Sequence, residues 1–167
     1  MKDEQNNRIA YQCAAVSTDG KHFEKLGPVI DTREDGYTAH YRDPKVFEKN
    51  GRYYMVLGAQ RDNLTGATIL YESDNLINWR FVEEINIPMY KNFGYMWECP
   101  DFFSLNEEET IKDVLLFCPQ GLEPEEKRFL NIHQSGYIVG NYSPGHPFNV
   151  ETDFIELDNG FDFYAPQ

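Results

Sequence analysis

One short element recurs along this chain, and it constrains the fold more than any other feature. "RDPKVF" from Arg42 resembles "ECPDFF" from Glu98, and "FYAPQ" from Phe163 begins like a third copy. The first copy leads into Lys45 to Ala59, which reads as a strand, an Asn50-Gly51 turn and a second strand; Asn-Gly between apolar runs is the strongest short-range hairpin signal. The second copy leads into a similar pair, Asp101 to Leu105 and Asp113 to Pro119, joined by the acidic connector Asn106 to Thr110. Between copies lie three look-alike segments, Tyr11 to Leu26, Ile69 to Val82 and Tyr137 to Val150. Each reads as a strand, a polar turn and an aromatic leading into another strand.

Two of the runs, Tyr53 to Leu57 and Val114 to Phe117, are apolar without strict alternation, the pattern of strands covered on both faces. Convincing long helical periodicity is scarce. The copies are spaced by about 55 to 65 residues, longer than a typical blade unit of ~40–50 but similar in kind. A repeated four-stranded sheet buried on both sides predicts an all-β fold of propeller type. In such a fold the first strand of each blade lines the central axis, so the recurring element points polar groups from successive blades into one pocket. Trp79 and Phe81 are expected to pack between blades.

The chain has 167 residues, with 41% apolar and 15% aromatic composition, enough for a sizeable core. Its formal net charge is −13 and the acidic residues are scattered. That balance argues against nucleic-acid and anionic-membrane partners, which need a basic face. No apolar run approaches a transmembrane length, and the polar stretch from Met1 to Arg8 is no signal peptide. Cys13, Cys99 and Cys118 are odd in number and widely spaced, which reads as reduced thiols of a cytoplasmic protein; Cys13 and Cys118 are placed in the core. Nothing in the pattern of His, Cys and acidic residues predicts a metal or another cofactor.

The stretch Gly94 to Phe103 sets Glu98 and Cys99 inside a dense run of aromatics. If Asp43 and Glu98 both begin inner strands, two carboxyl groups face one concave site, an arrangement suited to glycosidic-bond cleavage. Trp97, Met96 and Phe102 are expected to raise the pKa of Glu98 by withdrawing water, keeping a proton available for acid catalysis. Cys99 adds a soft, weak donor. Arg42 is expected to hold Asp43 ionised and to donate to sugar hydroxyls. Trp97 and Tyr164 offer flat faces to a sugar ring, with packing in the core as the competing role for both. His40 reads as a hydrogen-bonded structural histidine, and His133 and His146 as loop residues without metal-type spacing.

"YRDPKVF", "MWECPDFF" and "GFDFYAPQ", in this order and spacing, resemble three motifs of glycoside hydrolase family 32, the invertases, fructanases and bacterial sucrose-6-phosphate hydrolases. The likeness extends over nearly the whole chain, and "CPQGLEP" and "GYIVGNYS" look most like the sucrose-6-phosphate hydrolase branch. The resemblance implies a five-bladed β-propeller followed by a β-sandwich, and hydrolysis of a terminal β-fructofuranoside with retention. It implies that Glu98 is the general acid/base and that Asp43 stabilises the transition state by gripping fructosyl hydroxyls, with Arg42 beside it. It also implies that Cys99 helps to set the pKa of the acid. In a phosphosugar enzyme Lys127 and Arg128 offer a weak phosphate hint.

One departure from the family pattern stands out. The nucleophilic aspartate of an Asn-Asp-Pro-Asn-Gly-type motif is missing from these 167 residues. Residues 1–167 are therefore expected to be two to three blades of the catalytic propeller, without the nucleophile's blade, the last blades and the sandwich. Such a segment is expected to be inactive by itself and to self-associate through exposed blade faces. Two other readings stay open: a non-catalytic sugar-binding propeller that keeps the fructose grip, and a related five-bladed enzyme acting on arabinosides or xylosides.

Overall fold

The computed structural model describes residue 2 and residues 4–107, 110–160 and 163–166. Glu108 and Glu109 of the acidic connector, and Phe161, Asp162 and Gln167 of the third motif, lie outside the described residues. Eleven strands and one 3-10 turn (Pro88–Tyr90) make up the regular structure, with no α-helix among the described residues.

The first sheet is the hairpin β1 (Gln12–Val16) and β2 (Glu24–Ile30). The second is a four-stranded antiparallel meander of β3 (Tyr37–Lys49), β4 (Arg52–Arg61), β5 (Gly66–Ser73) and β6 (Arg80–Glu84). The third repeats this order with β7 (Met96–Glu107), β8 (Thr110–Gln120), β9 (Gly136–Asn141) and β10 (Asn149–Val150); β11 (Ile155–Glu156) also pairs with β9. Two successive four-stranded meanders are two blades of a propeller. Asn50 and Gly51 close the β3–β4 hairpin with φ of 55° and 75°, the two left-handed residues that a primed two-residue turn requires.

The alternation of β4 and β5 divides the core in two. Val56 and Leu70 face the second blade and pack with Ile85, Trp97, Phe102, Leu115, Phe117 and Ile138. Met55, Leu57, Ile69 and Tyr71 face the other way, where Ile30, Tyr37, Tyr41, Trp79 and Phe81 cover them. Trp79 and Phe81 thus pack on the β1–β2 side of the first blade. Gly58 of β4 permits the close approach of the blades: a Cβ there would overlap the Trp97 carbonyl oxygen. Polar ties join the blades as well. Asp113 on β8 accepts from Lys49 Nζ of the first blade at 3.2 Å, and the Tyr142 hydroxyl of the second donates to Glu83 of the first at 2.6 Å. Cys118 is buried as expected, whereas Cys13 is exposed, because a short two-stranded hairpin has too little covering layer to bury its outward residues.

Candidate active site

The recurring element has one backbone shape in all three copies. Asp43, Cys99 and Ala165, each preceding a proline, have φ of 62°, 46° and 54°. Left-handed geometry at a non-glycine residue is costly, about 1–2 kcal/mol, and persists where the surrounding structure imposes it. In β3 the pairing register slips between Arg42 and Lys45, and in β7 between Glu98 and Asp101. Both slips are bulges that contain the prolines, whose missing N–H no ladder bond needs there. The bulge re-aims the residue before it. Arg42, Glu98 and Tyr164 occupy that position in successive copies, and their side chains meet.

Glu98 is the hub. Its Oε1 accepts from Arg42 Nε at 2.9 Å and from Arg42 Nη2. Its Oε2 accepts from Gln120 Nε2 at 2.6 Å and from the Tyr164 hydroxyl. Asp43 lies in the same site: its Oδ2 accepts the Cys99 amide at 3.1 Å and stands 3.9 Å from Arg42 Nε. The Glu98 side chain is 16% exposed and those of Arg42 and Asp43 about a quarter, so the group borders an open surface.

Several expectations change here. Burial does push the Glu98 carboxyl upward and is the largest single influence, but the hydrogen bonds from Tyr164 and Arg42 and the charge of Arg42 together outweigh it. Its pKa therefore falls below the ordinary glutamate value instead of rising. Arg42 commits its donors to Glu98 rather than to Asp43. Trp97 is 1% exposed; it packs on Phe117 at 4.3 Å between ring centroids and donates its indole N–H to the Phe93 carbonyl at 2.6 Å. It is a core residue and offers no face to a sugar, because successive strand residues point to opposite sides and Glu98 takes the open one. Tyr164 donates to Glu98 and is 36% exposed, and burial with the Glu98 contact pushes its phenol well above the ordinary range. Cys99 joins through its backbone amide.

Sequence reasoning missed Gln120 and the surroundings of His133. The β7–β8 register pairs Met96 with Gln120 and Glu98 with Cys118, so a hairpin alignment carried through to the strand ends finds Gln120. His133 reaches the site from the connection between β8 and β9, its ring 5.4 Å from that of Tyr164; no local signal marks it. His40 is hydrogen-bonded as expected: its Nδ1 is 2.8 Å from Arg42 Nη1. Of the pair Lys127 and Arg128, Arg128 donates to the Phe154 carbonyl at 2.9 Å. Among the described residues no three His, Cys, Asp or Glu side chains group as metal ligands, and no helix is long and apolar enough to cross a membrane.

Consecutive antiparallel blades with ionisable groups converging from the bulges of their first strands define a β-propeller with a carboxylate-centred site. The sequence profile of the glycosyl hydrolases family 32 N-terminal domain matches residues 1–167. The chain is 51% identical over 170 residues to the sucrose-6-phosphate hydrolase of Bacillus subtilis (strain 168), covering 100% of this chain and 34% of that protein. It is 46% identical to the Staphylococcus xylosus sucrose-6-phosphate hydrolase, covering 99% and 33%. The solved sucrose-6-phosphate hydrolase from Lactobacillus gasseri superposes with a TM-score of 0.85 at 34% identity, over 98% of this chain and 33% of that one. A mutant Bombyx mori GH32 β-fructofuranosidase in complex with sucrose gives 0.82 at 36% identity, over 99% and 34%. The chain belongs to glycosyl hydrolase family 32. Its fold is part of that family's five-bladed propeller, and it spans about a third of the length of these relatives.

Proposed function

We propose that this chain is a segment of the catalytic propeller of a retaining β-fructofuranosidase acting on sucrose or sucrose 6-phosphate. The observation that carries the reading is the convergence of Arg42, Asp43, Glu98 and Tyr164 on one open site in a chain of this family. Glu98 is the general acid/base. It gives a proton to the glycosidic oxygen as the bond to the fructosyl carbon breaks, then takes one from the water that releases fructose. Asp43 and Arg42 hold fructosyl hydroxyls. Tyr164 and Gln120 orient Oε2.

In the free site the carboxyl is fully hydrogen-bonded as an anion. Acid catalysis therefore needs a second carboxylate opposite to raise its pKa, and a retaining mechanism needs a nucleophile to form the glycosyl-enzyme. The nucleophile's blade, the last blades and the β-sandwich belong to the rest of the parent enzyme in this reading. The cysteines, none of them in a disulfide, suit a cytoplasmic setting.

The test is Glu98→Gln in the full-length enzyme. Sucrose hydrolysis should fall by about 10²–10⁴-fold in kcat, the usual range for a lost acid/base. The loss should be smaller on a fructoside with an activated leaving group, which departs without protonation. A Glu98→Gln enzyme that keeps its sucrose kcat overturns the assignment.

A further inference from the structure

A second ionic cluster lies on the far side of Arg42 from Glu98. Arg42 Nη1 approaches His40 Nδ1 at 2.8 Å, and Arg8 Nη1 approaches the same nitrogen at 3.4 Å. Both guanidinium groups donate, so this nitrogen accepts and the ring proton stands on Nε2. Burial first, then the charges of Arg42 and Arg8, hold the imidazole below its ordinary pKa and keep it neutral. The two guanidinium nitrogens are consequently within about 6 Å of each other with only a neutral ring between them. Arg42 is neutralised by Glu98; Arg8 has no ion pair with a carboxylate among the described residues.

A cavity of 210 Å³ opens beside this pair, and Arg8 and Arg42 are the two charged residues on its wall, with no carboxylate. The neighbouring hollow on the other side of Arg8 carries Arg33 together with Asp31. In a chain of net charge −13 the general field opposes an anionic substrate, so capture of one requires local cations at the rim of the site.

We propose that Arg8 and Arg42, joined through His40, form an anion subsite that takes the phosphate of a sugar phosphomonoester. This rests on the fructosidase reading and deepens it by assigning the recognition of a phosphorylated substrate. The Arg8 fork supplies the donors to a phosphate dianion, with the charge of Arg42 on the same wall. Arg42 ties the subsite to the acid, since one guanidinium bonds both His40 and Glu98.

The experiment measures kcat/KM for sucrose 6-phosphate and for sucrose on the full-length enzyme, as wild type, Arg8→Gln and Arg8→Lys. Charge-assisted hydrogen bonds of about 1.5–3 kcal/mol correspond to a roughly ten- to hundredfold fall in the ratio of the two constants for Arg8→Gln, with part of it kept by Arg8→Lys. An unchanged ratio overturns the subsite and leaves the fructosidase reading standing. Hydrolysis of neither sugar by wild type removes both. Calorimetric titration with inorganic phosphate separates the two sources of the anion. Phosphate binding that weakens in Arg8→Gln and competes with sucrose 6-phosphate supports substrate recognition. Phosphate binding with an unaltered substrate ratio assigns the cluster to free phosphate and overturns the proposal.

Discussion

Arg42 and Glu98 hold the same place in two copies of one bulge, 56 residues apart, and the guanidinium of the first grips the carboxylate of the second at 2.9 Å. The repeat therefore does more than build blades. It delivers complementary charges to one point from adjacent first strands.

The pH behaviour follows from that grip. A carboxyl whose folded pKa is depressed contributes stability that is present above its unfolded pKa and lost as pH falls through the folded value. Glu98 therefore stabilises the fold at neutral pH and ceases to do so in acid, below the ordinary glutamate range. Arg42→Gln removes two of the lowering influences while burial remains, so the titration of Glu98 should move upward. Carboxyl NMR titration of wild type and variant checks this; an unmoved midpoint would show that Arg42 does not hold the value down.

Trp97 should behave as a core residue. Trp97→Ala is expected to cost about 3–5 kcal/mol of stability by urea unfolding. Gly66→Ala should also destabilise, by about 1–3 kcal/mol, since its Cβ would lie 2.7 Å from the Trp97 indole nitrogen. Trp97→Phe in the full-length enzyme should leave KM for sucrose within about twofold, a shift of only a few tenths of a kcal/mol. A large rise in KM with unchanged stability would return this side chain to the sugar site.

The thiols should fall into distinct classes. Cys13 is exposed and should react with an aromatic disulfide reagent in the native state. Cys118 is buried beside Ser135 Oγ at 3.3 Å, and burial pushes its thiol pKa up, so it should react only on unfolding. Mass spectrometry of the labelled peptides reads this directly, and early labelling of Cys118 would contradict its packing.

The 167-residue segment alone should associate. The outer face of the second blade carries Phe103, Leu105, Val114, Leu116, Tyr137 and Val139 around an open hollow. Leu105 is 55% exposed there. In the full propeller a neighbouring blade covers such a face. Sedimentation of the purified segment should show oligomers that Leu105→Lys reduces, and the segment should not hydrolyse sucrose. A monomer at high concentration, or turnover, would contradict the proposed open blade face and the proposed placement of the nucleophile elsewhere in the parent enzyme.

The hairpins were legible because their signals are local. Asn50-Gly51 demands left-handed φ at two adjacent residues, and unalternating apolar runs demand cover on both faces. The paired motifs were legible because a proline after a left-handed residue leaves a mark in sequence. The state of Glu98 was not legible. Its aromatic neighbours along the chain implied desolvation, but strand geometry turns Trp97 into the core and leaves Glu98 facing Arg42, Gln120 and Tyr164. Those partners are 56, 22 and 66 residues away in the chain. Cys13 was misplaced for a related reason: burial depends on which layer covers a strand.

By itself, then, the sequence determined the strand-and-turn pattern and the recurring motif with the residues it carries, since these rest on φ preferences and local apolar patterning within a few residues; the bulge at the motif came from the strand pairing. Only the tertiary structure decided which charges meet, because packing one blade on the next sets the distances that control desolvation, hydrogen bonding and pKa.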